Sequence, residues 1–437
     1  MQEDEGSPPC EAAAPAALPS QAGGLVSAAE PPQSLAEPPT APSFFDQAVS
    51  KTVPEVPVAA IPAMRFLEAR YGRAKSVREL LSHPPRNTYG RWGHTFAALD
   101  LGTNNCRLLI ARPHQTSFKV LDAYSRTVRL GEGLTTSGRL SPDAMARTIE
   151  ALKVCASRIE RRGVTQFRAV ATEACRAAEN SREFIALAEA ETGLRFDVIS
   201  TEEEARLAVE SCSSLIDRES DDVLVFDIGG GSTELVWLDG RKRQSGGVLP
   251  IRAWTSVPYG VVSLTERFGT GDRPGQDPRA IFDAMVETVR SSLRRFAIPD
   301  EARAAFADGR AHMVGNSGTV TTIAGVLLGL PRYDRARVDG AWINLSAAAE
   351  LGRELSARPL MERAAHPCIG TERADLIMPG AAILKAIQSI WPCDRLRVAD
   401  RGLREGVLLS LMARADRKAR QRRSEQKPPP ETPPSEE

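Results

Sequence analysis

Long apolar runs are missing from this 437-residue chain: none approaches the ~20 consecutive apolar residues that cross a bilayer. The amino end has neither a basic n-region nor an apolar core segment, so no secretory signal is expected and the cytoplasm is the expected compartment. Cysteine is sparse and scattered. The seven, at 10, 106, 155, 175, 212, 368 and 393, include no Cys-x-x-Cys pair, which argues against a disulfide framework and a structural zinc site. None of the five histidines has a ligand-spaced partner, so metallohydrolase chemistry built on histidine is disfavoured.

Basic residues are absent before Lys51, while residues 1–50 hold seven acids, so that segment carries −7 and the rest of a neutral chain +7. Residues 1–62 also contain twelve prolines diluted with Ala, Ser, Glu and Gln. Such a composition buries too little apolar surface to offset chain entropy and reads as a disordered arm. Residues 63–93 read as a linker with a short helix, Ala63–Tyr71. Residues 413–437 read as a disordered tail, first basic and then proline-rich. Its basic run suits either a solvated helix end or contact with an anionic ligand or RNA.

Between these arms, a plan occurs twice. Phe96–Leu101 meets Gly102-Thr103-Asn104-Asn105 and resumes as an apolar strand; Val223–Ile228 meets Gly229-Gly230-Gly231-Ser232-Thr233 and resumes at Glu234. The aspartates closing the first strand of each pair, Asp100 and Asp227, are 127 residues apart, about one domain. Glycines at such turns permit positive φ and let consecutive N–H groups converge on an anion, with Ser and Thr hydroxyls as further donors. A carboxylate beneath a phosphate cradle would repel its ligand unless a divalent cation lay between them. Mg²⁺ takes one or two carboxylates plus waters and phosphate oxygens, so Asp100 and Asp227, with Glu234 as a third, are magnesium candidates.

These motifs resemble those of the exopolyphosphatase / guanosine-pentaphosphate phosphatase (Ppx/GppA) family, in the actin and sugar-kinase superfamily. Asp100-Leu-Gly-Thr-Asn-Asn105 is similar to its first phosphate motif and Asp227-Ile-Gly-Gly-Gly-Ser-Thr-Glu234 to its second. Val170–Asn180 resembles its arginine-bearing segment, Ile199–Leu207 the segment with its catalytic glutamate, Val314–Thr319 its third glycine turn and Asp400–Val407 its closing helix signature. The first motif departs from the family in Asn105, where Ser or Thr is usual.

The resemblance implies an α/β fold: two duplicated ribonuclease-H-like (actin-like ATPase) domains, residues 94–208 and 209–412, with a cleft between them. It further implies release of terminal orthophosphate from inorganic polyphosphate, or alternatively from guanosine pentaphosphate, with Mg²⁺ as cofactor and a homodimer as the assembly. A superfamily kinase would need an aspartate base beside a sugar site, for which there is no clear candidate; a non-catalytic nucleotide-binding scaffold is the third class.

Hydrolysis of a phosphoanhydride needs an oriented water, a base and positive charge on the departing oxygens. Glu204 is the candidate base. Thr201-x-x-Glu204 could instead be a capping box, whereas a Ser200-x-x-Glu203 box would leave Glu204 free. Arg176 is the candidate clamp for a terminal phosphoryl group, because its fork can hold two oxygens. The phosphate-binding candidates are Gly102, Thr103, Asn104, Asn105, Gly229, Gly230, Gly231, Ser232, Thr233, Gly315, Ser317 and Gly318; the turn from Gly315 either contacts phosphate or simply packs closely. Arg404 and Glu405 read as structural, at a helix start.

Overall fold

The structure is a computed structural model describing residues 90–115, 117–242 and 249–425. The expected arm over 1–62, the helix Ala63–Tyr71 and the tail from 426 lie outside the described residues. Two sheets organise the rest. In the first half, β1 (Phe96–Leu101), β2 (Asn105–His114), β3 (Ser117–Thr127), β4 (Gln166–Ala171) and β5 (Phe196–Val198) are joined through α1 (Pro142–Arg161), α2 (Glu173–Ala177) and α3 (Ser181–Thr192). Helix α4 (Thr201–Cys212) leads to the second half: β6 (Asp222–Ile228), β7 (Thr233–Asp239), β8 (Ile251–Val257), α5 (Val261–Phe268), α6 (Pro278–Leu293), α7 (Asp300–Ala307), β9 (Ala311–Asn316) and α8 (Gly318–Leu327). There follow β10 (Trp342–Asn344), α9 (Leu345–Ser356), α10 (Ile377–Ile390), β11 (Arg395–Ala399) and α11 (Leu403–Glu425).

The duplication is visible in topology. The first sheet runs β3-β2-β1-β4-β5 and the second β8-β7-β6-β9-β11, with β10 added at the far edge. In both, an antiparallel meander is followed by two parallel strands, and the second and third strands share a bulge, between Ile110 and Ala111 in one and Trp237 and Leu238 in the other. The central strands β1 and β6 are almost wholly buried, which their near-continuous apolar sequences demand.

The outer face of each sheet is covered by its own helices. On the inner faces, α4 sends Ala205 and Cys212 toward Val223, Val225 and Val236 of the second sheet. Its Leu207 joins Leu403, Val407, Leu408 and Met412 of α11 on the first sheet. Two expected boundaries are therefore corrected. The 208/209 division falls inside α4, because one helix serves both cores. The last helix completes the first domain rather than the second, and it continues past 412 to Glu425. The turn at Asp416 is fastened by Arg91, whose N–H donates to Oδ1 at 2.9 Å and whose guanidinium lies 2.6 Å from Oδ2; residues 413–425 are helix, with Arg414, Arg417, Lys418, Arg420 and Arg422 exposed.

Where α4 and α11 cross, Gly406 makes the contact possible: a Cβ there would lie 2.1 Å from the carbonyl oxygen of Leu207. Gly406→Ala must push two backbones apart and is expected to destabilise the chain by about 1–3 kcal/mol, read as a lower midpoint in urea. An unchanged midpoint would show that the crossing relaxes freely. Among the described residues, no helix is long and apolar enough to cross a membrane.

Candidate active site

Both aspartate hairpins end in the same turn. Gly102 N–H donates to Asn105 O and Gly229 N–H to Ser232 O, each at 3.0 Å. The carbonyls of each turn are tied back by the chain that follows the third strand. Val128 and Arg129 N–H groups bond Asn104 O, and Gly131 N–H bonds Thr103 O; in the other half, Val261 N–H bonds Gly229 O, and Val262 and Ser263 N–H groups bond Gly230 O. With the acceptors occupied, the N–H groups of Thr103, Asn104, Gly230 and Gly231, which donate to no acceptor among the described residues, are what the turns present to a ligand.

The turns meet tip to tip. A Cβ on Gly230 would lie 2.9 Å from Thr103 Cβ and 3.3 Å from Asn104 N, and one on Gly231 only 2.8 Å from Glu173 Cγ. None of Gly102, Gly229, Gly230 and Gly231 has positive φ. The expectation of left-handed glycines is corrected: glycine is needed here for close approach, not for backbone conformation.

Beside the turns lies a cleft of about 660 Å³. It brings together Asp100, Gly102, Thr103, Asn104, Asn105, Glu204, Asp227, Gly229, Gly230, Gly231, Ser232, Ser317 and Gly318. Strand register explains the aspartates: Asp100 and Asp227 are the last residues but one of β1 and β6, each on the face shared with its cross-strand neighbour. Asn316, across the parallel pair from Asp227, donates its amide to Oδ2 at 2.9 Å.

Four candidates are placed elsewhere. Thr233 is fully buried and its hydroxyl donates to Tyr259 O at 2.7 Å. Gly315 is inside β9, where a Cβ would lie 2.6 Å from the Phe226 ring; of the two readings for this turn, packing holds for Gly315, while Ser317 and Gly318 reach the cleft. Glu234 is 2% exposed, and its Oε1 accepts from the Ser232 and Ser256 hydroxyls at 2.6 and 2.8 Å, since β7 is buried along its whole length. Arg176 does not line the cleft. Its Nη1 donates to Glu204 Oε2 at 2.7 Å and to Ile199 O, while Nε and Nη2 hold Glu173 Oε2. The arginine clamps carboxylates, not an open phosphate position.

The helix carrying Glu204 is capped by Ser200, whose hydroxyl accepts from Glu203 N–H at 3.2 Å. Thr201 is therefore not the cap. Glu204 is left to face the cleft with Oε1 unpartnered among the described residues.

Burial pushes Asp100 up to about 6, against the pull of Arg107 and Arg404. Burial and then the charges of Glu204 and Asp100 raise Asp227 to about 7. Burial, reinforced by Glu234 and opposed by Arg176, raises Glu204 to about 8. Each fold-state value exceeds the unfolded value near 4, so the folded chain holds extra protons. The stability these groups contribute is fully present below about pH 4 and disappears as pH rises through roughly 6 to 8. We expect the melting temperature of the bare protein to fall from about pH 4 and to level off above about 8, and Asp227→Asn to flatten that fall; thermal melts across the range would contradict this if the variant kept the parent's slope.

An anion can join crowded carboxylates in one site only with compensating positive charge. Among the described residues no three His, Cys, Asp or Glu side chains converge to cage a metal. The two cleft aspartates fit an ion that keeps most of its shell as water and phosphate, which is the habit of Mg²⁺. Cations the sequence reading missed also line the cleft: Arg107, Arg373 and Arg401, together with Arg404, which had been read as structural. Arg107 stands directly across from Asp100 in the β1–β2 register, a position countable from the hairpin alone. Arg373 comes from the turns before α10, where no local pattern marks it. Glu405 is structural as read, accepting from Gly402 N–H at 2.7 Å.

Residues 109–415 match the family model described as the Ppx/GppA phosphatase family. A solved Ppx/GppA family member from Aquifex aeolicus is 30% identical, over 74% of this chain and 98% of that one, with a TM-score of 0.60. A solved exopolyphosphatase-like protein is also 30% identical, over 74% and 98% of the two chains, with a TM-score of 0.65. An exopolyphosphatase from Cytophaga hutchinsonii, 23% identical over 73% and 98%, shares the fold with a TM-score of 0.62.

Proposed function

This chain belongs to the Ppx/GppA phosphatase family, and on that premise we propose that it is a Mg²⁺-dependent exopolyphosphatase releasing terminal orthophosphate from inorganic polyphosphate. The observation that carries the reading is Glu204, fixed by Arg176 through one carboxylate oxygen with the other open to a cleft that both amide turns border. In this reading the amides of Thr103, Asn104, Gly230 and Gly231 hold the terminal phosphoryl oxygens. Glu204 Oε1 takes a proton from the attacking water as the water oxygen bonds to phosphorus. The bridging P–O bond breaks, and the electron pair leaves with a chain one phosphate shorter. Asp100 and Asp227 would hold Mg²⁺, which supplies positive charge to the phosphate oxygens.

Substrate preference rests on the lining. Arg107, Arg126, Arg373, Arg401 and Arg404 line the cleft beside the carboxylates of Asp100, Glu173, Glu204, Asp227, Glu372 and Asp400, and no aromatic side chain among its lining residues offers a stacking surface for guanine. A linear polyanion suits such a surface better than a nucleotide. The solved relative described as exopolyphosphatase-like supports the same direction. The test is phosphate release from long-chain polyphosphate and from guanosine pentaphosphate in parallel, with and without Mg²⁺. Metal-dependent release favouring polyphosphate is expected; release from the nucleotide alone, or undiminished without metal, would overturn the reading.

A further inference from the structure

We propose that Glu266 and Asp375 of the second domain, gripping residues 129–135 of the first, form a clasp that positions the two phosphate turns against each other, a role resting on the hydrolase reading above. Glu266 Oε1 accepts from Gly133 N–H at 2.6 Å, and its Oε2 from the Thr135 hydroxyl. Arg129 Nη2 donates to Asp375 Oδ2 at 3.1 Å. None of these five residues lines the cleft, so any influence on chemistry passes through what they hold.

What they hold is the bracing of both turns. Arg129 itself donates its N–H to Asn104 O, and Gly131, two residues before Gly133, donates to Thr103 O. Glu266 belongs to α5, whose opening residues Val261, Val262 and Ser263 tie down the carbonyls of Gly229 and Gly230. The clasp thus joins the brace of one turn to the brace of the other, by side chains outside the site. Arg129 has φ 48, a left-handed conformation that is rare for a residue with a side chain and persists only where surrounding contacts impose it. The contacts it makes are its N–H bond to Asn104 O, the bond its carbonyl accepts from Glu132 N–H and its guanidinium bond to Asp375. Oδ1 of Asp375 is buried without a hydrogen-bond partner, leaving Arg129 as that carboxylate's hydrogen-bond donor among the described residues.

A clasp of this kind holds the turns at contact distance before substrate arrives, so its loss is expected in KM more than in kcat. The test uses the full chain with Glu266→Ala, Asp375→Ala and Glu266→Gln, assayed by hydrogen exchange, tripolyphosphate turnover and thermal melting. Each alanine variant should speed exchange of the hydrogen-bonded amides that hold the two turns, those of Gly102, Val128, Arg129 and Gly131 in one half and Gly229, Val261, Val262 and Ser263 in the other, together. Each should lower kcat/KM by about threefold to tenfold, the range for exposed charge-assisted bonds, mainly through KM. The melting temperature should stay close to the parent's, and Glu266→Gln, which keeps an acceptor, should recover part of the loss. Faster exchange confined to residues 133–135, or turnover lost only in proportion to a fall in melting temperature, would overturn the proposal. Because exchange is read without substrate, a chain that hydrolysed no phosphoanhydride would sink the hydrolase reading while the coupled exchange of the two turns still decided the clasp.

Discussion

Replacing Glu204 by glutamine is expected to lower phosphate release by about 10²–10⁴-fold, the usual worth of general base catalysis, with substrate affinity nearly unchanged. The substitution is close to isosteric, and the amide oxygen can still accept from Arg176 Nη1, which now reaches Glu204 Oε2 at 2.7 Å. Helix α4 does not depend on the residue, because Ser200 supplies its cap. What disappears is the oxygen that takes a proton. Removing one negative charge from a crowded set also eases anion binding, since Glu204 is among the charges that raise Asp227. In the parent, kcat/KM should climb with pH and level off above about 8, where burial has placed the carboxyl; the variant should lack that limb. Equal losses in binding and turnover would instead make Glu204 a structural acid, its carboxylate serving chiefly to hold Arg176.

The contrast between Glu204 and Arg176 shows where a sequence stops being legible. The position of Glu204 could be read because it is set locally: a strand, a cap at Ser200 and an acid left over after the cap is satisfied. Arg176 could not, because its partners are Glu173, one helical turn back, and Glu204, 28 residues on across the sheet. A fork occupied by carboxylates looks in sequence the same as one awaiting phosphate. Glu234 failed for a related reason. It sits directly across from Asp227, and as an acid following the second phosphate turn it read as a third carboxylate for the ion. Yet α4 covers the second sheet on that side, which no feature of residues 233–239 announces. The strand Phe96–Leu101 and both turns were legible because a near-continuous apolar run ending in aspartate and glycine has few other ways to fold. The last helix was misjudged at its end because its anchor, Arg91, lies 325 residues away from Asp416.

The triple glycine gives the remaining large effect. None of its residues has positive φ, so a side chain at 230 meets no left-handed backbone penalty. The obstacle is the opposite turn, with Thr103 Cβ 2.9 Å from where a Cβ would sit and the Asn104 nitrogen at 3.3 Å. Valine at 230 adds two further carbons in that gap, and neither neighbour is the far end of a flexible side chain. The turns must separate, and the amides proposed to hold the phosphoryl group then no longer converge. Misplacement by about 1 Å at a reacting centre costs on the order of 10²-fold in rate, so Gly230→Val is expected to lose about that much in kcat/KM. Stability should hardly change, in contrast with Gly406→Ala, because the contact at 230 lies between turn tips at the cleft and not within a packed core. Turnover and a thermal melt on the same preparation separate the two cases. Full activity in a variant that melts like the parent would mean that the turns react while apart, and that their contact belongs to a resting arrangement rather than to the one that performs hydrolysis.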